Sequence, residues 1–450
     1  MSFRAGLKTK IVSLMSRRVL IITYYWPPSG GAGVQRWLKF VKYLQEFGWQ
    51  PVIYTPANPE VPAEDQSLLE DVPEGIEIIK TKIWEPYTLY KKFVGRKKSD
   101  KIKTGFLSEN KRPSFTEKVS TWIRGNLFIP DARKYWIKPS IKFLSAYLEK
   151  NHVDAVISTG PPHSTHMIAL GISKKTNIPW LADFRDPWTN IDFYHQLMLT
   201  KASDRRHHKM EKQVLLNADR LVTVSWNWAK DFKDLGAENM VVITNGYDPD
   251  DFQGLTYEGN DKFEFVHLGS MNKDRNQHVF WEVLSEILED NPKFKNYLKI
   301  TLIGPIDHSV HSSIEKYNLK EFVNKTDYMP HREVLKIASN AEVLFLPLNN
   351  TPHVGGIVPG KIFEYLAMKR PILCIGPTDG DAAKILHETG CGATFDFDDR
   401  ARLKKHVRTL FDRYIEKENH CTHADISEYS RRELTARLAK VLQEMVNERK

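Results

Sequence analysis

Three loops of the chain carry the residue types that handle phosphate. The first, Pro27-Pro28-Ser29-Gly30-Gly31-Ala32-Gly33, follows an apolar run and precedes a helical pattern. Gly30, Gly31 and Gly33 let the backbone approach a ligand, and the N–H groups opening the next helix would face an anion. The spacing is not the G-x-G-x-x-G of dinucleotide sites, and the following strand, PVIYTP, ends without their acidic residue. A tight turn that only permits helix–sheet packing is the plain alternative. The second loop, GSMNKDRN, puts Lys273 and Arg275 where a strand hands over to a helix. Cations there can hold a diphosphate, or can simply be solvated. The third, HVGGIVPGKIFEYLAMKRPIL (353–373), opens through Gly355, Gly356 and Gly360 into a helix with Glu364 one turn in. Such a carboxylate can accept hydrogen bonds from two vicinal ribose hydroxyls. It can equally be a first-turn acid favoured by the helix dipole.

Two further loops offer acid, base and cation together. PPHSTH (161–166) supplies His163 and ADFRDPW (182–188) supplies Asp183, Arg185 and Asp186. They are candidates to position an acceptor hydroxyl or to stabilise a leaving phosphate. On the structural alternative, His166 packs in the core and Asp183–Arg185 is an ion pair.

Positioning these loops requires strands and helices in alternation. RVLIIT (18–23) reads as a buried parallel strand, 34–47 as a helix with Trp37, Phe40, Val41 and Leu44 on one face, and PVIYT (51–55) as the next strand. That is a βαβ unit. Strands DAVIS, PWLA, LVTVS and VVIT continue the series, with a helix at 167–176. A second series starts after Asn260: strands at 263–268, 298–303, 343–348 and 371–375, helices at 279–289, 361–368 and 431–448. The fold class expected is α/β, two Rossmann-like doubly wound domains facing across a cleft. The expected domains are an N-terminal extension at 1–16, a first domain at 17–250 and a second at 251–450. Residues 425–450 form a C-terminal helix that could pack back on the first domain.

Composition agrees with a globular chain: 41% hydrophobic and 27% charged over 450 residues, which excludes collagenous, wholly disordered and disulfide-stapled classes. Three cysteines in so long a chain fit a reducing cytoplasm, and no apolar run nears the ~20 residues of a membrane helix. Of the net charge of +9, residues 1–250 carry +11 and residues 251–450 carry −2. Lys91–Arg112 holds nine basic and two acidic residues with interleaved apolar ones. It reads as a solvated loop or as a contact for an anionic membrane surface. No nucleic-acid motif accompanies it, so nucleic acid is not an expected partner. No metal site is expected. The acids of DPD (248–250) and DFD (396–398) lie in a linker and a late loop, and His420, Cys421 and His423 lack a second ligand pair. Trp226 and Trp228 read as packing rather than sugar stacking.

The order of these segments resembles the GT-B glycosyltransferases, in particular the retaining family with an E-x7-E donor motif that serves bacterial surface polysaccharides. Glu364 matches the second glutamate of that motif; Gly356 stands where the first would fall. PPSGGAGVQRW is similar to the N-terminal glycine loop of the family. VTVSWNWAKDF and VITNGYDPDDF resemble the segments leading into its interdomain linker, with Thr244 in place of the usual proline. FVHLGSMNKDRN resembles the opening of the donor domain, with Ser270 in place of the usual arginine. The resemblance spans about residues 18–415. It implies a nucleotide diphosphate sugar on the second domain, its ribose on Glu364 and its phosphates on Lys273, Arg275, Lys361 and the glycine loops. It implies front-face transfer without a metal or cofactor. The acceptor would be a glycan or lipid-linked glycan presented to the first domain at the inner membrane face. The rival functions are a sugar-nucleotide epimerase of the same fold and a non-catalytic partner subunit of a transferase.

Overall fold

The computed structural model describes residues 17–61, 64–86, 115–326, 329–418 and 425–449. The described residues divide into two compact units, one made of those between 17 and 245 together with 431–449, the other of those between 246 and 430. The second unit begins at Gly246 rather than at the expected 251. The C-terminal helix, grouped with the second domain but expected to be able to pack back on the first, belongs to the first unit.

In the first unit the strands are β1 (Arg17–Ile22), β2 (Trp49–Pro56), β3 (Glu77–Thr81), β4 (Ala155–Gly160), β5 (Trp180–Phe184), β6 (Arg220–Thr223) and β7 (Met240–Val242). They pair in parallel in the order β3-β2-β1-β4-β5-β6-β7. β4 and β5 are buried along their length and β1 from Val19 on, as their near-continuous apolar sequences require when helices cover both faces. The helices are α1 (Ala32–Leu44), α2 (Phe115–Leu127), α3 (Lys134–Leu148), α4 (Ser164–Thr176), α5 (Lys201–Asn217) and α6 (Trp226–Asp234). Ser225 caps α6 by accepting from the Trp228 N–H at 3.2 Å, and Trp228 itself is buried, in line with a packing role.

The second unit repeats the plan with β8 (Phe263–Leu268), β9 (Leu298–Ile303), β10 (Val323–Thr326), β11 (Val343–Pro347), β12 (Ile372–Ile375) and β13 (Gly392–Phe395). Their parallel order is β10-β9-β8-β11-β12-β13. Its helices are α7 (His278–Asp290), α8 (Pro292–Tyr297), α9 (His308–Lys316), α10 (His331–Ser339), α11 (Lys361–Met368), α12 (Asp381–Thr389) and α13 (Arg400–Ile415). The core of this unit is aromatic, with Phe280 stacked on Phe345 at 3.9 Å.

The last helix, α14 (Arg431–Glu448), packs against α1. Leu434, Leu438, Leu442 and Met445 join Val34, Trp37, Leu38 and Val41 in one buried cluster. At roughly 1.5–3 kcal/mol per fully buried large side chain, that stripe is enough to hold the C-terminus in the first unit.

Both sheets reverse their winding beside the first strand: β1/β4 in the first unit and β8/β11 in the second. Ligand sites in such sheets lie past the carboxyl ends of the strands at that switch point. The loops after β1, β4, β8 and β11 are the ones singled out from the sequence.

Candidate functional site

In the second unit, Lys361 stands at the first position of α11 and turns its ammonium back to the Leu268 carbonyl at the end of β8. Gly269 follows with φ +91, and a Cβ there would lie 3.2 Å from Lys361 Nζ. Arg275, in the one-turn helix Lys273–Arg275, donates through Nη1 to the Ser270 carbonyl at 3.0 Å. Two cations thus share one loop cluster, and they feel each other. Burial first, and the Arg275 charge second, bring Lys361 down to about 7, while Glu364 opposes the shift. Lys273 is exposed and makes none of these contacts.

Glu364 lies half-buried on the same helix, its Oε1 accepting from His331 Nε2 at 3.0 Å. His331 opens α10, so one helix start holds the carboxylate presented by another. Gly355 and Gly356 form a short one-turn helix, Val354–Gly356, entered through His353 in the left-handed region (φ 63). The loops are stitched together: the Asn350 N–H donates to Asp274 O at 2.8 Å, and Gln277 Nε2 donates to Leu348 O at 2.6 Å. Beneath them the buried His267 donates from Nδ1 to Phe345 O at 3.0 Å. Its charged form is strongly disfavoured by burial and then by the Lys361 charge.

This part of the sequence reading therefore meets in one place: Arg275, Lys361, Glu364 and the glycine loop all sit at the β8/β11 switch point. His331 was missed. Its only signal was its place at the start of a helical pattern after a proline, and nothing local shows that it reaches a residue thirty-three positions on.

A diphosphate anion at this cluster would raise the Lys361 pKa, so binding takes up a proton at pH values above about 7. Affinity for a diphosphate ligand is expected to be level from pH 6 to 7. It then falls by up to about tenfold per unit as the free-state ammonium deprotonates. Calorimetry across pH 6–9 checks this. Lys361→Arg, which stays charged throughout, should flatten the profile.

In the first unit, the glycine loop after β1 ends at Gly31 (φ +98), which caps α1 without a side-chain hydrogen bond. Arg185 leaves the end of β5 and donates to three backbone carbonyls: Gly33, Gly160 and Pro161. It ties the loop after β1 to the loop after β4. A Cβ at Gly33 would lie 3.0 Å from its Nη1, so this glycine is needed for close approach. Asp186 follows, its carboxyl pKa raised by burial and lowered in part by Arg185.

Asp183 is not the partner of Arg185, and here the ion-pair alternative from the sequence is corrected. Its carboxylate accepts from Arg36 Nη2 (2.9 Å), Trp37 Nε1 (2.7 Å) and Thr159 Oγ1 (2.9 Å), all fully buried. Arg36 goes on to the Thr244 carbonyl at 2.8 Å. Asp183 is a structural anchor between α1, β4 and β5, and is already saturated.

His163 opens α4 and is buried, its ring stacked on Trp188 at 4.4 Å and 2°. Nδ1 has no hydrogen-bond partner, and burial together with the charges of His166, His207 and Arg185 keeps the imidazole neutral. Trp188 is fixed in turn by donating from Nε1 to His207 Nδ1 at 3.0 Å. His166 does pack in the core, its Nδ1 paired with Ser158 at 2.8 Å, and burial brings it down to about 3. Asp131 holds the whole loop by accepting from the Ser164 N–H (2.8 Å) and Oγ (2.7 Å). Trp188 was visible in ADFRDPW but was not assigned a role, and Asp131 carried no signal.

Lys91–Arg112 lies outside the described residues, as do residues 1–16 and the His420–His423 group. Asp248 of the DPD segment is buried and caps a short turn by accepting from the Asp250 N–H.

Two families match this chain. Residues 104–251 match Glycosyltransferase Family 4, and residues 254–431 match Glycosyl transferases group 1. The chain thus has the GT-B fold, with two successive segments that match glycosyltransferase models. Among curated proteins it is similar to the glycosyltransferase WcaL, named for colanic acid biosynthesis. Identity is 22% over 185 residues in Salmonella typhimurium and 23% over 186 residues in Escherichia coli K12. Each match takes in 40% of this chain, which spans 45% of those relatives' length. Among solved structures, sucrose-phosphate synthase from Thermosynechococcus elongatus superposes with a TM-score of 0.61 at 11% identity, over 96% of this chain and 100% of that one. HepE of Anabaena, solved with UDP-glucose, gives 0.60 at 11%, over 95% and 100%. The lipopolysaccharide outer core galactosyltransferase WaaB gives 0.57 at 11%, over 95% and 99%. At these identities the likeness is one of fold.

Proposed function

We propose that this chain is a retaining glycosyltransferase that moves a sugar from a nucleotide diphosphate sugar to a hydroxyl acceptor. The acceptor is a lipid-linked glycan of cell-surface polysaccharide, reached at the cytoplasmic membrane face. The observation that carries this reading is the cluster of Arg275, Lys361 and Glu364 at the second unit's switch point. Two cations suit a pyrophosphate, and a carboxylate one turn along the same helix suits the attached ribose. The HepE–UDP-glucose complex, on the same fold, supports the donor class. The WcaL name supports the polysaccharide setting.

No metal or cofactor is needed on this reading, because the cations and helix N-termini stabilise the leaving diphosphate. Lys91–Arg112 adds positive charge suited to an anionic membrane. The leaving phosphate takes the proton of the reacting hydroxyl, and in the first unit a neutral His163 accepts a hydrogen bond from a different hydroxyl of the acceptor to aim it. His163→Ala is expected to lower kcat by about a hundredfold, the scale of a misplaced reactant, with donor affinity unchanged.

The test is a thermal-shift screen against UDP, GDP, ADP and their sugars. A ligand at a hundred times its Kd adds about 2.7 kcal/mol of stability, so the matching base stands out. The stabilising donor is then incubated with lipid-linked acceptor, and transfer is followed. Absence of stabilisation by every nucleotide contradicts the proposal.

A further inference from the structure

Eleven large hydrophobic side chains are exposed among the described residues, and eight of them fall between Trp84 and Met198 in the first unit. Scattered exposed apolar residues are ordinary; their concentration on one part of a surface is not. Part of this set is connected through contacts. Trp84, 53% exposed, meets the edge of Tyr135, 46% exposed, at 4.8 Å. Tyr135 meets Phe128 at 6.4 Å, and the Lys134 ammonium lies over both rings at 4.9 and 5.4 Å. Lys134 also donates to the carbonyl of Leu127, which is 53% exposed at the end of α2. One turn back on α2 stands Trp122, 40% exposed.

The segment that carries most of this face is basic, although Arg133 within it is paired with Glu85 at 3.0 Å. Residues 115–142 contain six Lys and Arg and two acidic residues. Trp and Tyr rings with aliphatic side chains among them, on a Lys- and Arg-rich segment, form the composition that settles at a bilayer's headgroup level. The basic residues complement anionic lipid, while the aromatic rings enter the interface.

The place of this face in the fold gives it a use. Trp84 follows β3, and Leu127 to Tyr135 surround Asp131, whose carboxylate holds Ser164 of the loop that carries His163. The aromatic face therefore adjoins the acceptor loops at the carboxyl end of the first sheet.

We propose that Trp84, Trp122, Leu127, Phe128, Lys134 and Tyr135 form a surface that docks the first unit on an anionic lipid bilayer. This rests on the lipid-linked acceptor reading above: the membrane that carries the acceptor would be gripped beside the loop that receives it.

The full chain is mixed with sucrose-loaded vesicles of phosphatidylglycerol and phosphatidylcholine, and with vesicles of phosphatidylcholine alone, at physiological salt. The expected result is sedimentation with the mixed vesicles only. Trp84→Ser combined with Leu127→Ser should lower the partition coefficient by at least about tenfold. Trp84→Phe with Tyr135→Phe should retain it. Nucleotide-induced thermal stabilisation, measured on the same samples, should be equal in all variants. This reports on folding and on the donor site independently of the membrane. Failure of the parent protein to bind mixed vesicles overturns the surface and leaves the donor reading standing. So does a Ser variant that binds like the parent. Binding of soluble oligosaccharide, lost in the Ser variant without any vesicle binding, would assign the face to glycan and also overturn the proposal.

Discussion

Glu364→Ala is expected to weaken binding of a nucleotide diphosphate sugar by about 2–4 kcal/mol, or roughly 30- to 1000-fold. That is the scale of two hydrogen bonds to a charged carboxylate lost without replacement. Little else should change. Glu364 is half-buried and pairs with His331 at 3.0 Å, a contact whose contribution to stability is about 0–1 kcal/mol. Folding and donor binding therefore separate in this variant. Glu364→Gln, which keeps the shape and one acceptor oxygen, should fall between the parent and the Ala variant. Calorimetry gives the affinity and a thermal melt the stability. A variant that binds donor like the parent removes the ribose from this carboxylate.

Asp183→Ala is expected to have the opposite signature: a large loss of stability. Three buried donor groups, from Arg36, Trp37 and Thr159, converge on this carboxylate. Removing it strands a buried guanidinium, which costs about 3–5 kcal/mol. Burial alone would raise the Asp183 pKa, but Arg36 wins and holds the carboxyl below its ordinary value. Since the folded pKa is depressed, this contribution is present above about pH 4 and is lost as pH falls through the folded pKa. Urea melts of the parent at neutral pH against the variant measure the difference. An unfolding midpoint unchanged by Asp183→Ala contradicts the anchor role.

What the sequence made legible was what local pattern encodes. The run RVLIIT can only be a buried strand, and glycines end it where the chain must turn. The order of such runs was enough for two Rossmann-like sheets, and the chemistry-bearing loops fell at both switch points. Pairings between distant residues were not legible. Arg36 and Asp183 lie 147 positions apart, and the sequence suggested the near neighbour Arg185 instead. The return of α14 to the first domain was open from the sequence, but its seat on α1 depends on a stripe of leucines matching that helix, and amphipathicity alone does not name such a partner. His331 reaches Glu364 only because two helices start side by side. The edge strand β3, half-exposed along EIIKT, lacks the apolar run that revealed the others.

The central claim is that Glu364 reads the ribose of a bound nucleotide diphosphate. A thermodynamic cycle tests it most directly: the parent and Glu364→Ala are each titrated with the preferred nucleoside diphosphate and with its 2′,3′-dideoxy form. Loss of the hydroxyls should weaken the parent by the same roughly 30- to 1000-fold and leave the variant nearly indifferent. Equal losses in both proteins would show that the hydroxyls and this carboxylate never meet.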